Sequence, residues 1–157
     1  GRISSNAFLS GIRVMLGNNV SVDELAHQFN DMFTPADEML DLLHQIRASH
    51  QVFLLSNTND LHWRHLTKHY ALDKAVHGYV VSFQAGVMKP DPRIYRYFMD
   101  QQGLRAEDIV FLDDRPENIE AANDLGWNAI HHISVPASRK KMLDFGIQIP
   151  IHADPIQ

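Results

Sequence analysis

A short apolar run that ends in two acids constrains the fold of this chain more than any other stretch. Residues 109–112 are four apolar residues, too few for a helix and suited to a buried strand. Asp113 and Asp114 follow directly, and Pro116 then permits a helix to begin. Open α/β sheets bind their ligands at the carboxyl ends of such strands. The acid pair alone leaves two interpretations open: a charged turn that caps a helix, or a site for Mg²⁺, which prefers carboxylate oxygens.

Strand and helix patterns alternate through most of the chain, which predicts an α/β fold. Alternation of this kind favours a Rossmann-like parallel sheet with helices on both faces. Two helices near the start have no strand between them, so we interpret residues 1–33 as a partial helical cap and residues 34–157 as the core. The pattern predicts four strands, at residues 52–55, 79–83, 109–112 and 128–133, of which the first and third are continuous apolar runs.

Composition excludes several classes of function. A formal net charge of −5 argues against a nucleic-acid surface, which needs clustered Lys and Arg. The absence of cysteine rules out disulfides and thiolate metal sites and fits a reducing compartment, so we expect a cytoplasmic protein. No apolar run approaches membrane-spanning length, and residues 1–20 are too polar for a signal peptide. The chain begins with Gly1 instead of Met.

Polar side chains follow three of the predicted strands. Ser56 and Asn57 follow the first, Lys89 lies in the loop after the second, and Asp113 and Asp114 follow the third. Taken singly, each has an ordinary explanation as a helix cap or a solvated charge. Because parallel strands end at one edge of a sheet, we expect all of them to converge. Hydrogen-bond donors, a cation and paired acids are what phosphoryl transfer with Mg²⁺ requires.

Three segments resemble motifs of the haloacid dehalogenase superfamily of aspartate-nucleophile phosphohydrolases. The second motif of that superfamily resembles residues 54–59, LLSNTN. Its third motif resembles residues 88–95, MKPDPRIY, and its fourth resembles residues 111–119, FLDDRPENI. The likeness is greatest to the α-D-glucose-1-phosphate phosphatases and the phosphatase domain of soluble epoxide hydrolases. In that subgroup a helical cap follows the first motif.

The resemblance implies a Mg²⁺-dependent phosphatase of a small phosphorylated metabolite, such as a sugar phosphate, that works through an aspartyl-phosphate intermediate. It implies that Asp114 ligates Mg²⁺, that Asp113 supports the metal and takes part in catalysis, and that Asn118 belongs to the surrounding polar shell. It further implies a group of phosphate-binding side chains, of which the last is also catalytic: Ser56, Asn57 and Lys89.

The first motif of the superfamily, a strand followed by Asp-x-Asp, does not occur in these residues. Its first aspartate is the nucleophile, and its strand lies at the centre of the sheet. We therefore expect an N-terminally truncated chain that is inactive alone, with a missing segment or a second chain filling the central strand position. The alternative is a catalytically inactive module that binds phosphate or a partner. A 2-haloacid dehalogenase is less favoured, because such enzymes use no metal and lack the paired acids.

Overall fold

The computed structural model describes residues 3–149, which form helices and short parallel strands. Helix content exceeds strand content, and the predicted α/β class is confirmed. A 3₁₀ turn at Ala106–Asp108 precedes the third strand. In chain order the elements are α1 (Ser5–Met15), α2 (Val22–Asn30), α3 (Asp37–Arg47), β1 (Phe53–Ser56), α4 (Asp60–Tyr70), β2 (Gly78–Val81), α5 (Ser82–Ala85), α6 (Pro92–Gln102), β3 (Val110–Asp113), α7 (Pro116–Asp124), β4 (Asn128–His131) and α8 (Val135–Asp144).

Side-chain caps explain where several of the helices begin. The Ser21 hydroxyl accepts a hydrogen bond from the N–H of Glu24 at 3.1 Å, which satisfies a donor in the first turn of α2. The Asp91 carboxylate accepts from the N–H of Arg93 at 2.9 Å at the start of α6. Pro92 follows Asp91 as the first residue of that helix, where its missing N–H leaves nothing unsatisfied.

The strands form two separate parallel pairs among the described residues. Strand β1 pairs with β2, and β3 pairs with β4, each over four residues. The sequence predicts one Rossmann-like parallel sheet. The strands are parallel as predicted, but among the described residues they form two pairs and not one continuous sheet.

Two of the predicted strands are shorter than expected. The run at residues 79–83 leaves the strand after Val81, and Ser82 begins α5. The Ser82 hydroxyl donates to the carbonyl of Thr58 at 2.9 Å and lies 3.0 Å from the Thr58 N–H. This exchange with the loop after β1 takes the place of further ladder hydrogen bonds. The last strand likewise stops at His131, and the Ser134 hydroxyl caps α8.

The chain divides into two compact units, both discontinuous in sequence. The first comprises the described residues up to Ala36 together with Phe53–Met88. In it α1 packs on α2 and α2 packs on α4. The rings of Phe8 and Phe29 meet edge to face at 5.5 Å. The division into a cap at residues 1–33 and a core at residues 34–157 stays a prediction.

The second unit comprises Asp37–Val52 and the described residues from Lys89 onward. Helices α3 and α8 pack together in it, and α7 packs on β3 and β4. Its apolar core is centred on Leu42, Ile130 and Met142, which are all almost fully buried. An aromatic cluster lies elsewhere in the same unit and is formed by Tyr95, Phe98, Phe111 and Trp127.

Within the part of the chain that the structure describes, none of the helices has the length and apolar character needed to cross a bilayer.

The core of the second unit makes a prediction about stability. Leu42 is 1% exposed, so Leu42→Ala leaves a cavity as well as removing apolar burial. We expect it to lower the free energy of unfolding by about 3 kcal/mol. Leu143→Ala is the matched control, because Leu143 is 59% exposed and should change stability by less than about 0.5 kcal/mol. Urea denaturation of both variants measures the difference, and equal losses would show that Leu42 is not a core residue.

Candidate active site

The strand β3 places two side chains on one buried face. Successive residues of a strand point to opposite faces, so Phe111 and Asp113 share a face. Each is 8% exposed. A buried carboxylate is costly unless donors surround it, so Asp113 requires hydrogen-bond donors around its oxygens.

Three donors surround the Asp113 carboxylate. The Lys89 Nζ lies 2.6 Å from Oδ2. The main-chain N–H of Arg115 donates to Oδ1 at 2.9 Å, and the Asn118 Nδ2 donates to the same oxygen at 2.7 Å. Burial acts to raise the pKa of Asp113, but hydrogen bonds from Lys89, Asn118 and Arg115 outweigh it and lower the pKa below its usual range. Asp113 is therefore held as a carboxylate.

Lys89 is buried to nearly the same extent as its partner. Its side chain is 9% exposed, and its Nζ lies 5.4 Å from the centre of the Phe111 ring. A cation over an aromatic face gains attraction from the negative face of the ring. The face of β3 thus supplies both an ion-pair partner and an aromatic surface for the Lys89 ammonium, which fixes a cation beside Asp113.

Asp114 is the exposed member of the acid pair. Its carboxylate makes no hydrogen bond or ion pair with the rest of residues 3–149, whereas its main chain is held. The His131 Nε2 lies 3.0 Å from the Asp114 carbonyl, within hydrogen-bond distance. The N–H of His132 donates to the carbonyl of Asp113 at 2.8 Å. The backbone of the pair is therefore fixed while the Asp114 oxygens remain accessible.

Asn118 joins this site from the first turn of α7. It is 2% exposed, and its amide donates to Asp113 as described above. Its main-chain carbonyl accepts a hydrogen bond from the Tyr95 hydroxyl at 3.0 Å. The structure therefore brings together Lys89, Asp113 and Asn118, with Asp114 adjacent in the chain.

Ser56 and Asn57 belong to the first unit, whereas Lys89 and the acid pair belong to the second. Ser56 is the last residue of β1, and Asn57 begins the loop that leads to α4. Their position at the end of a strand agrees with the sequence-based expectation. Their convergence with Lys89 at one phosphate site stays a prediction.

The sequence pattern did not indicate that Phe111, Tyr95 and His131 contact the site. Phe111 and Tyr95 fit the apolar pattern of a strand and a helix, and both are buried as core residues. A single sequence does not distinguish an aromatic ring that only packs in a core from one whose face also contacts a lysine ammonium. His131 gave a weak signal, since it ends the strand next to β3.

The donor set fits a hard cation such as Mg²⁺. Both Asp113 oxygens already accept hydrogen bonds from protein donors, which leaves Asp114 as the carboxylate that suits direct ligation. Among residues 3–149 no three His, Asp or Glu side chains are arranged to hold a metal. Mg²⁺ commonly binds through one or two carboxylates and completes its shell with waters and substrate phosphates, so a single exposed carboxylate beside a cation-paired one is compatible with it.

Comparison with known proteins bears on the same residues. The family described as "Hydrolase: haloacid dehalogenase-like hydrolase" matches residues 6–126, which is most of the chain. The chain belongs to this family. The match includes the ends of β1 and β3 and the loop that carries Lys89. The predicted membership of the superfamily is therefore confirmed.

Two relatives illustrate the likeness to individual proteins. A D-ribitol-5-phosphate phosphatase of Bacteroides thetaiotaomicron is 26% identical over 134 residues, covering 81% of this chain and 65% of the relative. Bifunctional epoxide hydrolase 2 of Mus musculus is 35% identical over 72 residues, covering 45% of this chain and 13% of that protein. The chain thus spans less than two thirds of the length of these curated relatives.

A solved structure extends the likeness to the fold. An enzyme of the haloacid dehalogenase family from Bacteroides thetaiotaomicron, in complex with magnesium and inorganic phosphate, superposes with a TM-score of 0.76. It is 30% identical, and the alignment covers 83% of this chain and 69% of that one. The fold of the chain is therefore that of the family.

The buried ion pair predicts a large effect of Lys89→Met on stability. The substitution leaves the Asp113 carboxylate buried with one donor fewer, and breaking such a pair costs about 3 to 5 kcal/mol. We expect this loss in the free energy of unfolding at pH 7, measured by urea denaturation in EDTA. Lys68→Met is the control, because Lys68 is exposed on α4. A loss no larger than that of the control would contradict a structural role for the pair.

The same variant should show a distinct dependence on pH. The pKa of Asp113 in the folded protein lies below its unfolded value of about 3.9, so its stabilisation is present above that pH and is lost as pH falls through the folded pKa. Without Lys89, burial acts with less opposition and the carboxyl takes up its proton at higher pH. The difference in unfolding free energy between wild type and Lys89→Met should therefore narrow as the pH falls below about 5. A difference in unfolding free energy that stays constant as the pH falls would contradict this expectation.

Proposed function

We propose that the full-length protein is a Mg²⁺-dependent phosphatase of a small phosphorylated metabolite, with a sugar phosphate or polyol phosphate as the favoured class. The observation that carries the proposal is the buried ion pair of Lys89 and Asp113 beside the exposed carboxylate of Asp114. The relative named as D-ribitol-5-phosphate phosphatase supports the substrate class. The relative solved with magnesium and inorganic phosphate supports the metal.

Each residue of the site has a role that follows from its surroundings. Lys89 would hold the negative oxygens of the phosphoryl group, since an ammonium in a site with little water attracts developing charge strongly. Asp113 would orient Lys89 through the 2.6 Å contact. Asp114 would hold Mg²⁺, which when bound supplies positive charge to the phosphoryl oxygens. Ser56 and Asn57 would donate further hydrogen bonds to the phosphate.

A nucleophile is the part of this chemistry that the described residues do not provide. The family resemblance implies an aspartate in an Asp-x-Asp motif, and residues 1–157 contain no such motif. We propose that a segment outside these residues supplies the nucleophile and that an aspartyl-phosphate intermediate forms on it. We also assign the chain to the subgroup that has a helical cap after the first motif, as in α-D-glucose-1-phosphate phosphatases.

The experiment that tests the function is a screen for phosphate release. The full-length protein is incubated with a panel of sugar, polyol and nucleotide phosphates, in Mg²⁺ and in EDTA, with a 2-haloacid as an additional substrate. We expect release from at least one sugar or polyol phosphate in Mg²⁺ and none in EDTA. Halide release without metal would favour a dehalogenase instead, and no turnover of any substrate would favour an inactive binding module.

A change at Asp114 tests the metal assignment. Asp114→Asn keeps the size of the side chain and removes the charge that suits Mg²⁺, so we expect at least a hundredfold loss of Mg²⁺-dependent turnover. Calorimetric titration should show weakened binding of Mg²⁺. Asp124→Asn is the matched control, because Asp124 is exposed at the end of α7 and should leave both values unchanged. Unchanged Mg²⁺ affinity in Asp114→Asn would rule out the assignment.

A comparison of two lengths of chain tests the source of the nucleophile. We expect residues 1–157 alone to release no phosphate from any ester, because they lack the attacking aspartate. The full-length protein should release it. Turnover by residues 1–157 at the rate of the full-length protein would show that the nucleophile lies within them.

A further inference from the structure

Tyr95 is connected to the site by a hydrogen bond from its hydroxyl, in addition to the packing of its ring. It is completely buried on α6, and its hydroxyl donates to the carbonyl of Asn118 at 3.0 Å. The Asn118 amide in turn donates to Asp113 at 2.7 Å. Two hydrogen bonds therefore connect the Tyr95 hydroxyl to the carboxylate that pairs with Lys89.

The first turn of α7 is the element on which this connection acts. Asn118 lies in that turn and contacts the site at two points, its side chain on Asp113 and its carbonyl on Tyr95. The N–H of Asn118 donates to the carbonyl of Arg115 at 3.0 Å, so its backbone is part of the loop that follows the acid pair. A donor on the Asn118 carbonyl therefore limits movement of the whole turn relative to β3.

The Tyr95 ring is held without any help from its hydroxyl. It meets the Phe111 ring at 5.9 Å and the Trp127 ring at 5.2 Å, both edge to face. Such pairs are favourable beyond their burial. The hydroxyl is consequently presented by a rigid support, and Tyr95→Phe can remove it while leaving the ring in place.

The Tyr95 hydroxyl also remains a donor under all ordinary conditions. Burial raises the pKa of Tyr95 far above its usual value, and the negative charges of Asp113 and Glu117 raise it further. The hydroxyl is thus protonated at neutral pH and able to donate to the Asn118 carbonyl.

We propose that Tyr95 is a positioning residue, whose hydroxyl fixes Asn118 and thereby the orientation of the Asp113 carboxylate and the Lys89 ammonium that it holds. The proposal rests on the proposed function for its effect on turnover. Its geometric part, the fixing of Asn118, stands on the contacts alone. Tyr95 touches neither substrate nor metal in this proposal, and it acts only through Asn118.

Tyr95→Phe in the full-length protein tests the proposal with two readouts. We expect kcat to fall about fivefold with KM within twofold of wild type, because one hydrogen bond that orients the reacting groups is lost. Selective ¹⁵N labelling of asparagine reports on the Asn118 side-chain amide. Its exchange with water should become faster in the variant, since the turn that carries it is less restrained.

Two control variants separate positioning from stability. Tyr97→Phe removes a hydroxyl from the same helix at a residue that is 40% exposed, and it should change neither readout. Leu42→Ala destabilises the apolar core of the same unit and leaves the aromatic cluster intact, so it should lower the melting temperature and leave kcat unchanged well below it. A fall in kcat for Leu42→Ala as large as for Tyr95→Phe would show that lost stability alone explains the effect, and it would overturn the proposal.

Other outcomes are equally decisive. A kcat for Tyr95→Phe within twofold of wild type overturns the proposal. Unchanged exchange of the Asn118 side-chain amide with water also overturns it. If the full-length protein releases no phosphate from any ester, the proposed function fails separately. The Asn118 amide then decides the positioning role by itself: faster exchange in Tyr95→Phe supports it and unchanged exchange overturns it.

Discussion

The second unit is organised around a charged pair that it buries at the end of β3. Lys89 and Asp113 lie 2.6 Å apart with side chains that are 9% and 6% exposed. Removing two charges from water is expensive, and their mutual attraction offsets the cost only when the remaining hydrogen-bonding capacity is also satisfied. Asn118, the Arg115 N–H and the Phe111 ring meet that requirement. The loop after β3, the first turn of α7 and the loop before α6 must therefore keep their positions together.

In this arrangement two adjacent acids have different surroundings, since Asp113 is buried and Asp114 is exposed. Both Asp113 oxygens are occupied by donors of the protein, three in all, and the lowered pKa of this carboxyl keeps it ionised. Asp114, one residue later, is exposed, and its backbone is fixed next to His131. A carboxylate with a fixed backbone and accessible oxygens can bind a cation without a large loss of freedom. The burial of Asp113 is thus the reason why we propose Asp114, and not Asp113, as the Mg²⁺ ligand.

Much of this could be predicted from the sequence, and the reasons differ between residues. The apolar runs predict all four strands because periodicity and length leave few alternatives, and the motifs around Lys89 and Asp113 indicate the family. The end of β2 was missed because Ser82 exchanges hydrogen bonds with Thr58, a residue 24 positions away. The burial of Lys89 and the contact of Tyr95 with Asn118 were missed for the same reason, since both depend on tertiary partners.

The most direct measurement is calorimetric titration of inorganic phosphate into the full-length protein, with and without Mg²⁺. Phosphate is the product of any phosphatase, so the titration examines the site without knowledge of the substrate. A Mg²⁺-dependent phosphatase site predicts saturable binding of one phosphate per chain in Mg²⁺ and loss of that binding in EDTA. Binding of equal strength in both conditions, or no binding in either, would contradict it.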